Sequence, residues 1–212
     1  MYFITFEGPE GSGKTTQINK LAVYLKKKGL KYIITREPGG SFVADKIRNI
    51  LLDTGNKDLS PDAELLLYLA SRAQHVKDKI LPALKQGKIV ICDRFSDSTM
   101  AYQGFARGFK RSLIRELNNF ATGGLEPDLT LLFDIDVKKG LSRAHKAKNR
   151  KDRLELESLR FHNAVRKGFL KIAEEEPGRV KVIKVTADID AIHRQAAGHI
   201  LKLLTCGKKN AF

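Results

Sequence analysis

Residues 8–15, Gly-Pro-Glu-Gly-Ser-Gly-Lys-Thr, match the pattern G-x-x-x-x-G-K-[ST] in full. The flanking chain has the character the pattern requires. Tyr2 to Phe6 is a short apolar run that stops at Glu7-Gly8, and from Lys14 onward Ile18, Leu21, Ala22 and Leu25 recur at helical spacing. A strand that turns through Gly8, Pro9, Glu10, Gly11, Ser12 and Gly13 into a helix aims successive N–H groups at one point, where the helix dipole already favours negative charge. Lys14 then reaches the β- and γ-phosphates of a nucleotide, and Thr15, followed by Thr16, offers a hydroxyl to Mg²⁺. The motif is a nucleotide-phosphate site, built as strand, turn and helix.

The remaining chain repeats that alternation. Strands are expected at Tyr32 to Thr35, Lys88 to Cys92, Leu129 to Phe133 and Val180 to Val185. Helices are expected at Lys14 to Lys28, Val43 to Leu52, Ser112 to Ala121, Leu154 to Glu175 and Ile189 to Leu204, with Gly29 a stop for the first. Ser60 reads as an N-cap with Pro61 at the first helical position. The helix it opens is apolar nearly all round (Leu65 to Ala70), which predicts burial in the core or at a subunit interface. Short, continuously apolar strands separated by helices indicate an α/β fold: a five-stranded parallel sheet with helices on both faces. No linker splits the chain, so residues 1–212 are expected to form one domain.

The 212 residues carry 39 Lys+Arg against 24 Asp+Glu, a net charge of +15. Such a balance suits a phosphate-rich partner, either nucleic acid or a small phosphorylated substrate, and equally suits a solvated lysine-rich surface. The bases concentrate between Lys138 and Arg153, with Asp152 the one acid among them, which reads either as a solvated helix end or as a mobile cationic lid over anions. No apolar run approaches the ~18 residues of a membrane span. Two cysteines, Cys92 and Cys206, make no disulfide framework, and no secretory signal precedes the first strand, so a cytoplasmic location is expected. The five histidines show no metal-ligand spacing with the cysteines and are expected in surface or packing roles. Residues 208–212 read as a frayed tail.

Three classes of protein share the phosphate loop. A guanine-specific switch needs Asn-Lys-x-Asp, which Asn56-Lys57-Asp58 and Asn149-Arg150-Lys151-Asp152 do not supply. A nucleic-acid motor usually ends its third strand in two acids; here that strand ends Asp93-Arg94, and the sequence has no aromatic–basic alternation of the kind that binds single strands. An Arg beside the Asp suits transfer between two phosphates. The acceptor is then already anionic, needs no strong base, and must be brought to the donor by cations that offset repulsion. Arg36 follows strand two, Arg94 follows strand three and Arg48 lies on the helix after strand two; Asp93 is expected near Mg²⁺ or the acceptor phosphate, a cap or a pairing with a neighbouring base being the alternative.

The strings Phe3-Ile4-Thr5-Phe6-Glu7-Gly8, Thr35-Arg36-Glu37-Pro38-Gly39-Gly40, Ala70-Ser71-Arg72, Asp93-Arg94-Phe95, Ala101-Tyr102-Gln103-Gly104 and Pro127-Asp128-Leu129-Thr130 together resemble the thymidylate kinase family over essentially the whole chain. The resemblance implies a P-loop kinase fold with a short basic lid (about 138–153), phosphorylation of dTMP to dTDP by ATP with Mg²⁺ held through Thr15 and Asp93, and a homodimer with neither membrane nor nucleic acid as partner. It implies that Glu10 receives the deoxyribose 3′-hydroxyl, that Arg36, Arg48 and Arg94 hold the acceptor phosphate, and that Glu37 lies near the acceptor sugar and phosphate. Tyr68 takes the place usually held by a Phe stacked on thymine, Arg72 and Gln103 read the base edge, and Tyr102 crowds the sugar C2′. Thr99 stands where relatives often have Ser. Gly11 occupies the P-loop position where some members carry a catalytic Arg, so the Arg is expected from the lid: Arg143 and Arg153 match best, with Arg150 and Lys146 as alternatives. Thr186-Ala187-Asp188 resembles the loop beside the donor adenine. A kinase for dUMP or another pyrimidine monophosphate is the alternative within the class, and a nucleic-acid-binding ATPase the alternative outside it.

Overall fold

The computed structural model describes residues 1–147 and 152–206. Five strands form one sheet: β1 (Tyr2–Glu7), β2 (Tyr32–Arg36), β3 (Ile89–Asp93), β4 (Leu129–Asp134) and β5 (Val180–Lys184), in the order β2-β3-β1-β4-β5 and all parallel. Each parallel step needs a crossover, and the helices supply it: α1 (Lys14–Lys27), α2 (Phe42–Leu52), α3 (Pro61–His75), α4 (Leu81–Lys85), α5 (Ser96–Thr99), α6 (Arg111–Thr122), α7 (Val137–Ala147), α8 (Leu159–Glu175) and α9 (Ile189–Cys206). Alternation along the strands divides the core. Ile4, Phe6, Ile91 and Phe133 pack with Ile18, Leu21 and Leu25 of α1 and Ile200 of α9 on one face. Phe3, Val90 and Cys92 pack with Phe95 and Ile80 on the other. A third cluster joins Leu65 and Leu69 of α3 to Tyr102 and to Phe161, Val165 and Phe169 of α8.

The five strands and the helices built on α1, α2, α6 and α9 lie within a residue or two of the sequence expectation. Ser60 caps α3 as expected, its hydroxyl accepting from the Ala63 N–H at 3.3 Å. One expectation is corrected. The helix predicted from Leu154 is broken: a single 3₁₀ turn (Leu154–Leu156) is followed by extended Glu157, and α8 starts only where the Ser158 hydroxyl caps the Phe161 N–H. The side chain of Ser158 competes with the backbone for its own donors, which ends one helix and begins the next. Within one chain α3 buries Leu65 and Leu69 in the core and leaves Leu66 60% exposed. The first part of the basic segment at 138–153 is the helix α7; Lys148, Arg150 and Lys151 of that segment and the tail at 208–212 lie outside the described residues.

Two π-helical turns were not anticipated, Val76–Ile80 and Met100–Ala106. The second follows α5 directly and carries Tyr102 and Gln103; α8 packs closely against it because Gly168 has no side chain, a Cβ there falling 2.8 Å from the Phe105 ring.

Candidate active site

At the C-terminal ends of β1 and β3 the chain encloses a cavity of about 660 Å³, the size of a nucleotide site. Its outer end is the phosphate loop. Gly8 has φ 138° and lies against the Phe133 carbonyl, where any Cβ would collide. Lys14 is buried, and its Nζ donates to the carbonyls of Gly8 (3.1 Å) and Pro9 (3.2 Å). Burial, with Arg94 nearby, lowers the Lys14 pKa; an anionic phosphate is the partner that restores its charge. Thr15 Oγ1 donates to Asp93 Oδ2 at 3.4 Å, so the helix start and the β3 end present two hard oxygens side by side. Gln17, not anticipated, lines the same end; its Nε2 donates to the Ile189 carbonyl at 3.1 Å while its buried Oε1 has no partner among the described residues.

The middle of the cavity is cationic. Arg94 has φ 70°, a backbone conformation that side chains rarely adopt, and the turn that strains it aims its guanidinium into the site. There Nη2 donates to Glu10 (2.5 Å) and Nη1 to the Gly8 carbonyl (3.0 Å). Tyr102 donates to the same Glu10 oxygen at 3.2 Å, its ring lying 5.3 Å beneath the Arg94 guanidinium. The turn is held from behind by Glu7, which accepts from the Phe95 N–H (2.7 Å), the Ser98 N–H (3.2 Å) and the Ser98 hydroxyl (2.6 Å). Burial, reinforced by Asp97, pushes the Glu7 pKa up to about 7. Arg36 and Arg48 both line the cavity, and burial together with the Arg36 charge lowers the Arg48 pKa. Two like charges held together, with Asp45 and the Pro38 carbonyl as their hydrogen-bond partners among the described residues, make a site that an anion stabilises.

Tyr68, Arg72, Thr99 and Gln103 line the inner end. Burial, with Glu64 nearby, raises the Tyr68 pKa and keeps its hydroxyl neutral. Arg72 is 2% exposed; its Nε donates to Glu37 (2.8 Å), and its Nη1 to Thr99 Oγ1 (2.8 Å) and Asn118 Oδ1 (2.6 Å). Glu37 therefore orients Arg72, with its second oxygen on His75 Nδ1 at 3.0 Å, rather than presenting a free carboxylate to the cavity.

The two arginines expected from a lid separate. Arg143 on α7 lines the cavity, because Gly140 brings α7 onto the phosphate loop: a Cβ on Gly11 would strike the Gly140 carbonyl, and one on Gly140 the Glu10 carbonyl. Arg153 is not brought there. Its Nη2 is bound to Glu64 (2.6 Å) and its Nε to the Leu51 carbonyl (3.0 Å). Lys146 is exposed on α7 and does not line the cavity, and Arg150 lies outside the described residues. Thr186 and Ala187 line the outer end, whereas Asp188 caps α9 by accepting from the Asp190 and Ala191 N–H groups, both at 2.9 Å. Ser98, Glu7 and Gln17 carried no separate signal in the sequence beyond their place beside motif residues.

A family model described as thymidylate kinase matches residues 6–196. A thymidylate kinase of Pelobacter propionicus is 50% identical over 206 residues, covering 95% of this chain and 94% of that protein. One of Trichlorobacter lovleyi is 53% identical over 189 residues, covering 87% and 89%. The crystal structure of thymidylate kinase from Ehrlichia chaffeensis superposes with a TM-score of 0.76 at 38% identity, over 96% of this chain and 98% of that one. The likeness spans nearly the whole chain, and in sequence and in fold alike the chain belongs to the thymidylate kinase family.

Proposed function

We propose that this chain transfers the γ-phosphoryl group of ATP to dTMP, giving ADP and dTDP. The observation that carries the reading is the set of groups that line one cavity: a phosphate loop, the guanidinium groups of Arg36, Arg48 and Arg94, and the Tyr68 ring with Arg72, Thr99 and Gln103. Such a lining offers cations to two anionic ligands at once, as transfer of a phosphoryl group between them requires. An oxygen of the dTMP phosphate attacks the γ-phosphorus, the bond to the β-phosphate oxygen breaks, and ADP leaves with that electron pair. The attacking oxygen is already anionic, so no general base is required; Lys14, Arg94 and Arg143 offset the charge that spreads over the transferring group. Glu10 suits the sugar hydroxyl, Tyr102 the sugar face, Tyr68 the base face, and Arg72 with Gln103 the base edge. Thr15 and Asp93 fit Mg²⁺ held mainly by phosphates and water, since no cluster of three or more His, Cys, Asp or Glu among the described residues could cage a metal. Mg²⁺ there would neutralise charge shared between the β- and γ-phosphates.

The chain is read as one domain with a lid over about 138–153, and as a homodimer. The dimer is supported by apolar side chains left outside on neighbouring helices: Phe42 (76% exposed) on α2, Leu66 on α3 and Phe120 (86%) on α6. A reaction that consumes ATP and the buried free thiol of Cys92 both fit the cytoplasm. A coupled ADP-release assay with ATP, Mg²⁺ and dTMP, dUMP, dCMP or dGMP tests the reading. Preference for dTMP is expected; ADP release that ignores every acceptor overturns it.

A further inference from the structure

Behind the base end of the cavity sits a carboxylate that the phosphoryl transfer does not use. Glu64 on α3 is 0% exposed. Its Oε1 accepts from Gln103 Nε2 at 2.8 Å and from Arg107 Nε at 3.3 Å, and its Oε2 from Arg107 Nη2 at 3.1 Å and Arg153 Nη2 at 2.6 Å. Burial opposes its charge, yet the hydrogen bonds from Arg107, Gln103 and Arg153 outweigh burial and hold the Glu64 pKa below its ordinary value. An ionised carboxylate between two guanidinium groups accepts hydrogen bonds and donates none. The Gln103 amide therefore has one orientation open to it: the NH₂ turned back to Glu64, the carbonyl oxygen left for the cavity that Gln103 lines.

We propose that Glu64 is a specificity-determining positioning residue, which locks the Gln103 amide so that the base pocket presents an acceptor and admits a pyrimidine carrying N3–H. This rests on the acceptor reading above. Thymine and uracil offer a donor at N3, whereas cytosine offers a lone pair that meets the Gln103 oxygen with neither proton nor cation between them. An unpaired acceptor in a buried pocket costs far more than a hydrogen bond gains, so discrimination comes from what is refused. Arg72, fixed by Glu37, Thr99 and Asn118, is a donor at the same end and acts independently on the ring's 4-position, where thymine has a carbonyl and cytosine an amine.

The test is the ratio of kcat/KM for dTMP to that for dCMP in the full chain and in Glu64→Gln. A neutral amide at 64 can either donate or accept, which frees Gln103 to turn its NH₂ to the cytosine ring. The ratio is expected to fall by about tenfold or more, chiefly through a gain on dCMP, with Arg72 preserving the remainder. Glu64→Asp keeps the charge that both arginines need and moves the carboxylate away from Gln103; it is expected to give an intermediate ratio, and serves if the Gln variant does not fold. In a Gln103→Leu background neither change at 64 should move the ratio further. Loss of activity on both acceptors with an unchanged ratio would make Glu64 structural only and overturn the proposal, leaving dTMP phosphorylation intact. A parent chain with no preference for dTMP over dCMP would overturn the acceptor reading and this inference with it.

Discussion

Lys14 was readable before any fold was known, because its place in the motif states both what it follows and what it precedes. Lys14→Ala is expected to lower kcat by about 10³-fold or more, as removal of a preorganised charge from a transferring phosphate does; near-normal turnover in the coupled assay would refute the mechanism. Among the arginines expected from a lid, the resemblance left Arg143 and Arg153 equal, and the structure separates them by partner: one lines the cavity, the other is tied to Glu64. Arg143→Ala should therefore reduce kcat by about 10²-fold or more with dTMP affinity nearly kept, while Arg153→Ala should act chiefly on thermal stability, measured by comparing kcat with Tm for both variants. Glu7 escaped the sequence reading as a functional residue since nothing in a strand-end carboxylate says what it accepts. Its pKa stands near 7 in the fold against an ordinary 4.5, so the stability it permits is fully present below pH 4.5 and is lost as pH rises through 7. Stability curves for Glu7→Gln should be flatter over that interval; equal slopes for the variant and the parent chain would count against a buried, titrating Glu7.

Among the elements, those with a clear period or a cap were legible: α1 with its glycine stop, α3 with Ser60 and Pro61, and the five strands. The π-helical turns were not, because an inserted residue leaves no mark on apolar spacing and is decided by what the turn packs against. Arg94 at positive φ and the Gly11–Gly140 contact are likewise invisible in one dimension, although both decide where guanidinium groups end up. The approach of α7 to the phosphate loop depends on Gly140 having no Cβ. Gly140→Ala should lift α7, raising the KM for ATP and lowering kcat several-fold while changing Tm little, because the added methyl meets backbone that α7 can move away from. An unchanged KM for ATP would show that α7 takes no part in donor binding.

For the whole molecule, burial sorts the apolar surface into what the sheet needs and what it leaves over. Leu66, Phe42 and Phe120 remain outside on three helices, and light scattering is expected to report twice the mass of one chain at micromolar concentration, with Leu66→Glu shifting it toward the single-chain mass. A monomer mass for the parent chain would remove the dimer from the proposal. Order along the chain was enough to determine the parallel α/β sheet, the phosphate loop and the family, because strand period, glycine turns and a lysine at fixed spacing are local matters that each segment settles for itself. Which of Arg143 and Arg153 lines the cavity, which carboxylate bonds Arg72 and which one bonds Gln103 were decided only in three dimensions. Those roles belong to partners brought together across 35 residues for Glu37 and Arg72, 39 for Glu64 and Gln103, and 89 for Glu64 and Arg153, and a side chain's partner is set by the packing of whole elements rather than by its neighbours in sequence.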